Sequence, residues 1–292
     1  MAEFHEILGY EVIETLGYGA RSTIYAVRNK AGDSFAMKRV VKASPSDQRY
    51  IDQAVGEHEV AIQFDHSLLR RSLRLYKQRQ VIRISEVSVL MELVEGITLE
   101  RFRITGHNRL KNLVDICAQV AEGLDAMHAK GYVHADMKPK NVLVDKNYKI
   151  KIIDFGQSCK VGSVKERIQG TPDYIAPEQV QRRPIVPETD VFNLGATMYW
   201  LLTGKHVPTL IPRGKAGVTI RSDERPIPPT EFAPNIPPAL SSLVMDCIET
   251  DPVQRPRKME QVVDRLDIAL AQLVRSNSCD LSSQSSTNRH VG

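Results

Sequence analysis

A chain of 292 residues is long enough for one large domain or two lobes, and 42% hydrophobic with 25% charged residues excludes a disordered or fibrous chain. A net charge of +4, set against 39 basic and 35 acidic residues, gives no compositional ground for nucleic-acid binding. No run of 18 apolar residues predicts a membrane segment, the start at Met1–Glu6 lacks an apolar signal region, and Cys117, Cys159, Cys247 and Cys279 stand without C-x-x-C spacing, which reads as free thiols in a reducing compartment such as the cytoplasm.

In chain order, Tyr10 to Leu16 is predicted as a strand leading into Leu16-Gly17-Tyr18-Gly19-Ala20-Arg21-Ser22-Thr23-Ile24. Gly17 and Gly19 carry no Cβ, so a hairpin backbone here can lie close over phosphates, although a glycine-containing hairpin alone is a weak signal. Ser34 to Val41 reads as another strand, with Lys38 inside it. Arg49 to Phe64 has helical character, and Glu57 and Glu59 fall on different faces of it, because residues two apart on a helix are separated by about 200°. Leu68 to Arg83 carries Arg70, Arg71, Arg74, Lys77, Arg79 and Arg83, read as a solvated strand edge whose charges guard against aggregation; a docking patch is the alternative. Val87 to Val94 is a further strand running into Glu95-Gly96, and here the chain changes from sheet-forming to helical segments.

Asn112 to Lys130 is predicted as a helix, since Leu113, Ile116, Val120, Leu124 and Met127 form one apolar stripe, and Gly131 ends it. Val142–Val144 and Ile150–Ile153 read as two short strands around a turn at Asp145–Tyr148. That hairpin folds Asn141 and Asp154 back toward each other, with Asp136 and Lys138 just ahead of it. Two oxygen acceptors suited to hard cations, a carboxylate able to orient a hydroxyl, and a lysine able to meet phosphate charge are what phosphoryl transfer requires. Pro208 to Pro238 is proline-rich and predicted as a surface loop around a short helix, Pro238 to Ala271 as helical, and 274–292, with six serines and one threonine, as a disordered tail.

The stretch His134-Ala135-Asp136-Met137-Lys138-Pro139-Lys140-Asn141 resembles the H-R-D-L-K-P-x-N catalytic loop of eukaryotic-like (Hanks-type) serine/threonine protein kinases. Asp154-Phe155-Gly156 stands where that family has D-F-G, thirteen residues after Asn141, and Gly170-Thr171-Pro172-Asp173-Tyr174-Ile175-Ala176-Pro177-Glu178 resembles its G-T-x-x-Y-x-A-P-E. Gly17 to Ile24 resembles the glycine-rich loop, with Ser22 at the third glycine, and Ala36-Met37-Lys38 the A-x-K strand. The compact lobes and short activation loop look most like the bacterial members.

The resemblance covers Tyr10 to about Leu273 and implies an α+β, bilobal fold: a β-rich N-lobe over 1–94 and a helical C-lobe over 95–273. It implies an ATP- and magnesium-dependent transferase acting on protein serine and threonine hydroxyls, with Asp136 as catalytic base, Lys138 stabilising the transferring phosphoryl, and Asn141 and Asp154 holding Mg2+. Lys38 would hold the α- and β-phosphates and pair with Glu57, chosen over Glu59 because His66 lies nine residues on. Leu16, Gly17, Gly19, Ile24, Ala36, Met91 as gatekeeper, Glu92, Leu93 and Leu143 complete the nucleotide-binding set. Thr171 would bond Asp136 and Lys138, Glu178 would pair with Arg255, and Asp190 would fasten the catalytic-loop backbone. The partners implied are protein substrates, with autophosphorylation in the serine-rich tail, and neither nucleic acid nor a membrane segment.

Ala135 departs from the pattern, since many relatives have an arginine there that meets a phosphate on the activation loop. Gln157 to Thr171 holds only Ser158 and Ser163 as hydroxyls before Thr171, so activity independent of activation-loop phosphorylation is expected. A pseudokinase scaffold is disfavoured because Lys38, Asp136, Asn141 and Asp154 are all present, and a small-molecule kinase of related fold would ordinarily lack the 170–178 segment.

Overall fold

The computed structural model describes residues 5–19, 21–80, 83–106, 108–208 and 225–287. The fold is of the α+β class and divides into two compact units. The first runs up to Gly96 and also takes in Lys151–Ser158; the second comprises Ile97–Ile150 and the chain from Cys159 onward.

The first unit is an antiparallel six-stranded sheet in the order β1-β2-β3-β4-β6-β5. Its strands are β1 (Glu6–Ile7), β2 (Tyr10–Gly19), β3 (Ser22–Arg28), β4 (Ser34–Val41), β5 (Ser72–Gln80) and β6 (Arg83–Glu92), with helix α1 (Gln48–Ala61) between β4 and β5. Side chains alternate across a strand. Ala36 and Val40 therefore share one face with Val87, Val89 and Met91, where Ile51 and Ala54 of α1 complete a buried cluster. Met37 and Leu90 point the other way and pack with Ile7 and Val27. Lys38 has the parity of Ala36 and so lies on the face that α1 covers.

β5 is one of the two edge strands, and Arg71, Arg74, Lys77 and Arg79 are exposed on or beside it, as befits an edge that resists further pairing. Arg70 is an exception to the predicted solvated run, for it is 8% exposed.

The second unit is mainly helical: α2 (Arg109–His128), α3 (Pro177–Val180), α4 (Pro187–Thr203), α5 (Pro229–Phe232), α6 (Pro238–Cys247) and α7 (Met259–Thr287). Short strands β7 (Ile97–Thr98), β8 (Tyr132–Val133), β9 (Val142–Val144) and β11 (Cys159–Lys160) lie among them; β10 (Ile150–Ile152) begins in this unit and carries the chain into the first. Leu113, Ile116, Val120, Leu124 and Met127 are all buried, as the helical spacing predicts. Gly195 allows α4 and α6 to approach closely: a Cβ there would sit 2.5 Å from Cys247 Cβ.

Element ends differ from the sequence expectation by a few residues, and Pro238–Ala271, read as helical throughout, is broken between Cys247 and Met259; two larger differences concern the units and the tail. The units are not contiguous stretches divided at residue 94, because Lys151–Ser158 returns to the first unit. The cause is backbone pairing: Arg70 N–H donates to Ile152 O at 3.0 Å, Ile152 N–H to Leu68 O at 2.8 Å, and Lys151 reaches Glu92 at 2.8 Å. The tail expected to be disordered from 274 continues as helix to Thr287, prolonging without a break the helix that Met259, Val262, Leu266 and Ala269 anchor. Residues 209–224 of the proline-rich loop and 288–292 of the tail lie outside the described residues. No helix among the described residues is long and apolar enough to cross a membrane.

Candidate active site

In the first unit, Lys38 Nζ meets Glu57 Oε2 at 2.5 Å. The geometry follows from helix spacing: Ile51, Ala54 and Glu57 recur every three residues, so the stripe that docks α1 on the sheet also aims Glu57 at β4. Glu59 is exposed and turned away. Glu57 is 3% exposed, and Arg70 Nη2 approaches its second oxygen at 3.5 Å. Burial pulls the Lys38 amine down, but the Glu57 and Asp154 carboxylates outweigh it and hold the amine above the ordinary lysine value. Asp154 has a left-handed backbone, φ 66°, and accepts a hydrogen bond from Gly156 N–H at 3.2 Å. Phe155 stacks on Phe64 with ring centroids 6.3 Å apart, fixing this turn on the unit.

The β2–β3 hairpin pairs Gly17 with Ile24 and Gly19 with Ser22; Ala20 at its tip lies outside the described residues. A Cβ on Gly17 would meet nothing within 4 Å, so protein packing does not require glycine there. Leu16 is exposed, whereas Ala36 and Met91, cross-strand partners on β4 and β6, are buried. Glu92 is committed through its side chain to Lys151 and to Arg71 N–H; Leu93, next in sequence, is half-buried against the Ala36–Met91 cluster.

In the second unit, Asp136 stands at the centre of a hydrogen-bond mesh. Lys138 Nζ donates to its Oδ2 at 2.6 Å, and Thr171 donates to its Oδ1 through N–H at 3.1 Å and through Oγ1 at 3.0 Å. Lys138 also donates to Thr171 Oγ1 at 2.6 Å. Asn141 gives Nδ2 to the Asp136 carbonyl at 2.8 Å, which leaves Oδ1 as its acceptor end. Leu143 lies half-buried on β9 just beyond. The turn after β9 is closed by Asp145, whose Oδ1 accepts from Asn147 N–H and Lys149 N–H.

The loop carrying Asp136 is fastened from α4. Asp190, fully buried, accepts from His134 N–H, Ala135 N–H and His128 Nε2, each at 2.8 Å. Ala135 itself is left-handed at φ 60°, is 1% exposed, and packs with Val133, Ile185 and Cys159. The side chain at 135 is thus packed in an apolar cluster, with Lys165 beside Cys159 at its margin.

The segment after β10 is held by main-chain bonds. β11 pairs with β8, Val161 N–H donates to Gly131 O at 2.9 Å, Gly162 N–H to Ile185 O at 2.7 Å, and Ile185 N–H to Ser163 O at 2.8 Å. At its far end Glu178 and Arg255 form a bidentate buried pair at 2.8 and 2.9 Å. The remaining Arg255 donors reach Glu249 O, Glu188 O and Thr250 O, and the guanidinium lies over the Phe192 ring at 4.9 Å. All five N–H groups therefore have acceptors.

A lysine held by a helix glutamate, an aspartate held by lysine and threonine, and a sealed Glu–Arg anchor occupy the positions that the resemblance assigns them. The protein kinase domain matches this chain over residues 10–265. The chain belongs to the protein kinase domain family. Similar proteins include a probable serine/threonine-protein kinase of Clostridium perfringens, 27% identical over 90% of this chain and 38% of its own length. Serine/threonine-protein kinase PknA of Mycobacterium tuberculosis is 28% identical over 85% of this chain and 58% of its own length. PkaB of Streptomyces coelicolor, also named a serine/threonine-protein kinase, is 30% identical over 86% of this chain and 61% of its own length. This kinase domain therefore spans roughly two-fifths to three-fifths of the length of these curated relatives.

The first unit brings together Lys38, Glu57 and Asp154; the second brings together Asp136, Lys138, Asn141 and Thr171. Sequence reasoning missed Arg70, which hides within a basic run and has no periodic signal to separate it from its exposed neighbours. It also missed Gln179 and Asn193. Asn193 had a signal, a lone amide between the apolar residues Phe192 and Leu194; Gln179 had none, since exposed polar residues follow it.

Proposed function

We propose that this kinase domain transfers the γ-phosphoryl group of ATP to serine or threonine hydroxyls of protein substrates. The observation that carries this is the Asp136 mesh. One carboxylate is held in place by a lysine, a threonine hydroxyl and a backbone N–H, with an asparagine fixing its carbonyl. Asp136 orients the acceptor hydroxyl and receives its proton, while Lys138 and Lys38 offset phosphate charge. Lys38 suits that role because its amine stays protonated through the physiological range.

Magnesium fits the oxygen groups at hand. Asn141 has its amide nitrogen committed elsewhere and offers Oδ1, and Asp154 adds a carboxylate; both are hard donors of the kind this ion takes. The ion when bound would neutralise charge on the phosphates. The open space over Gly17 and the exposed Leu16 support a nucleotide lying against the β2–β3 hairpin. Ile24, Ala36, Met91, Glu92, Leu93 and Leu143 are assigned to its base and Gly19 to its phosphates. The three free thiols among the described residues support a cytoplasmic, reducing setting.

Activity is proposed to be independent of activation-loop phosphorylation. Alanine at 135 presents no cation, and it packs against Val133, Ile185 and Cys159. The serine-rich tail is a proposed site of autophosphorylation.

The test is phosphate transfer from labelled ATP with magnesium, to the protein itself and to a generic basic acceptor. Asp136→Asn should lower the rate by about 10²- to 10⁴-fold, the range of a general base. Label retained at the native rate in Asp136→Asn, or transferred only to small molecules, overturns the assignment.

A further inference from the structure

The Gln179 side chain is buried in the second unit, 5% exposed, one residue after the Glu178 anchor. All of its hydrogen-bonding capacity is used. Nε2 donates to the carbonyl of Ala135 at 2.8 Å and to that of Gln169 at 3.4 Å. Oε1 accepts from Ala176 N–H at 3.0 Å and from Asn193 Nδ2 at 3.2 Å. The orientation of the amide is not arbitrary, because two carbonyls can only accept and a backbone N–H can only donate. Asn193, on α4 and 1% exposed, also donates to Tyr174 O at 2.7 Å and so keys the amide to the helix. Gly170 closes over it: a Cβ there would lie 3.4 Å from Gln179 Nε2 and 3.1 Å from Ile175 Cγ1, on a backbone of φ 130°.

The residues joined in this way are the ones that position the acceptor machinery. Ala135 directly precedes Asp136 and holds a left-handed conformation. Gln169 lies two residues before Thr171, which bonds Asp136 by both N–H and Oγ1. The amide therefore ties the backbone before the catalytic carboxylate to the backbone before its threonine partner, with no ionic group involved. An arginine–phosphate link would connect the same two stretches by charge; here the connection is a neutral amide.

We infer that Gln179 is a positioning residue that sets the register of Thr171 against Asp136 in the unphosphorylated protein. The inference rests on the proposed phosphorylation-independent activity. Its weight falls on kcat: an acceptor hydroxyl displaced by a fraction of an ångström reacts slowly, while ATP is held by other residues.

The test uses the full chain carrying Ser158→Ala and Ser163→Ala, compared with the same protein bearing Gln179→Glu or Gln179→Met. Glutamate keeps the acceptors and removes both donors, and methionine keeps the volume and removes all four bonds. Each should lower kcat by about 10- to 100-fold with the ATP KM changed by less than about twofold. A lowered active fraction by itself reduces apparent kcat at constant KM, so kcat is taken per molecule competent to bind ATP, counted by nucleotide titration. A role confined to stability would lower the melting temperature and leave that kcat native. Should both variants fail to fold, Asn193→Ala loosens the same amide from one side and is expected to show the same split at about threefold. Folded Gln179→Glu and Gln179→Met proteins with native kcat overturn the inference, as does a native kcat in Asn193→Ala where those two do not fold. If the double-alanine parent is itself inactive with Gln179 in place while the phosphorylated protein is active, the phosphorylation-independent reading fails, and with it the claim that the amide suffices without phosphate.

Discussion

Lys38 in the first unit and Asp136 in the second are both charged, both largely buried, and held in opposite ways. Lys38 is held by charge: Glu57 at 2.5 Å, Arg70 behind it, and Asp154 adding to the field. Asp136 has one charged partner, Lys138, and otherwise neutral ones, with its loop fastened by backbone N–H groups to Asp190 and by an amide to the activation segment. An ion pair tolerates small displacements, because Coulomb energy falls slowly with distance. A hydrogen-bond mesh does not, because each bond loses most of its value once its angle fails. The unit that would grip a nucleotide is thus built to give, and the unit that would aim a hydroxyl is built to hold register.

The comparison can be broken at several depths. The largest effect is expected at the perimeter of the mesh, where Arg255→Met leaves Glu178 buried without its partner and should cost about 3–5 kcal/mol in urea unfolding. Glu178→Leu combined with Arg255→Met should cost less than either change alone, and a strictly additive loss would show that the pair acts independently of its burial. Lys38→Met should reduce phosphate transfer by about 10²- to 10³-fold, and it should do so without loosening Asp136. Hydrogen exchange at Thr171 N–H provides the check: faster exchange in Lys38→Met would mean that the Asp136 mesh depends on Lys38.

Gly195→Ala is expected to destabilise by about 1–3 kcal/mol, because Cys247 and Ile248 stand in the way of the added methyl. A melting temperature unchanged by that substitution would show that α6 yields. Acidity sharpens the contrast. Because the Lys38 amine is held above the ordinary lysine value, the pair's contribution is complete below the unfolded lysine value and fades only as pH climbs through the higher folded one. Between about pH 6 and about pH 9 the urea midpoint of Lys38→Met should therefore differ from the native one by a constant amount. The smallest effect is predicted for Ser158→Ala with Ser163→Ala, whose kcat should stay within about twofold of native.

The architecture was largely legible. The strand read at Ser34–Val41 is β4 to the residue, and helical spacing gave α2 as one buried stripe. The Lys38–Glu57 and Glu178–Arg255 pairs could be anticipated because motif positions carry them, 19 and 77 residues apart. Arg70 was not legible, since whether an arginine in a basic run turns inward depends on a carboxylate brought near by folding. The return of Lys151–Ser158 to the first unit escaped for a related reason: it is made by backbone bonds, and backbone groups leave no mark in sequence. Gln179 escaped because the A-P-E pattern stops one residue before it.

Arg255 also bears on how the second unit comes together. Its five donors are taken by Glu178 of α3, the Glu188 carbonyl of α4, and the carbonyls of Glu249 and Thr250. Glu249 and Thr250 are near Arg255 in the chain, Glu178 and Glu188 are 77 and 67 residues away, and none of these stretches offers the guanidinium a complete environment by itself. Until all of them have arrived, the arginine is better off in water. Its burial therefore requires α3, the start of α4 and the 249–250 stretch to be in place together, and a chain that has sealed Arg255 has already assembled the ground on which the segment ahead of Glu178 rests.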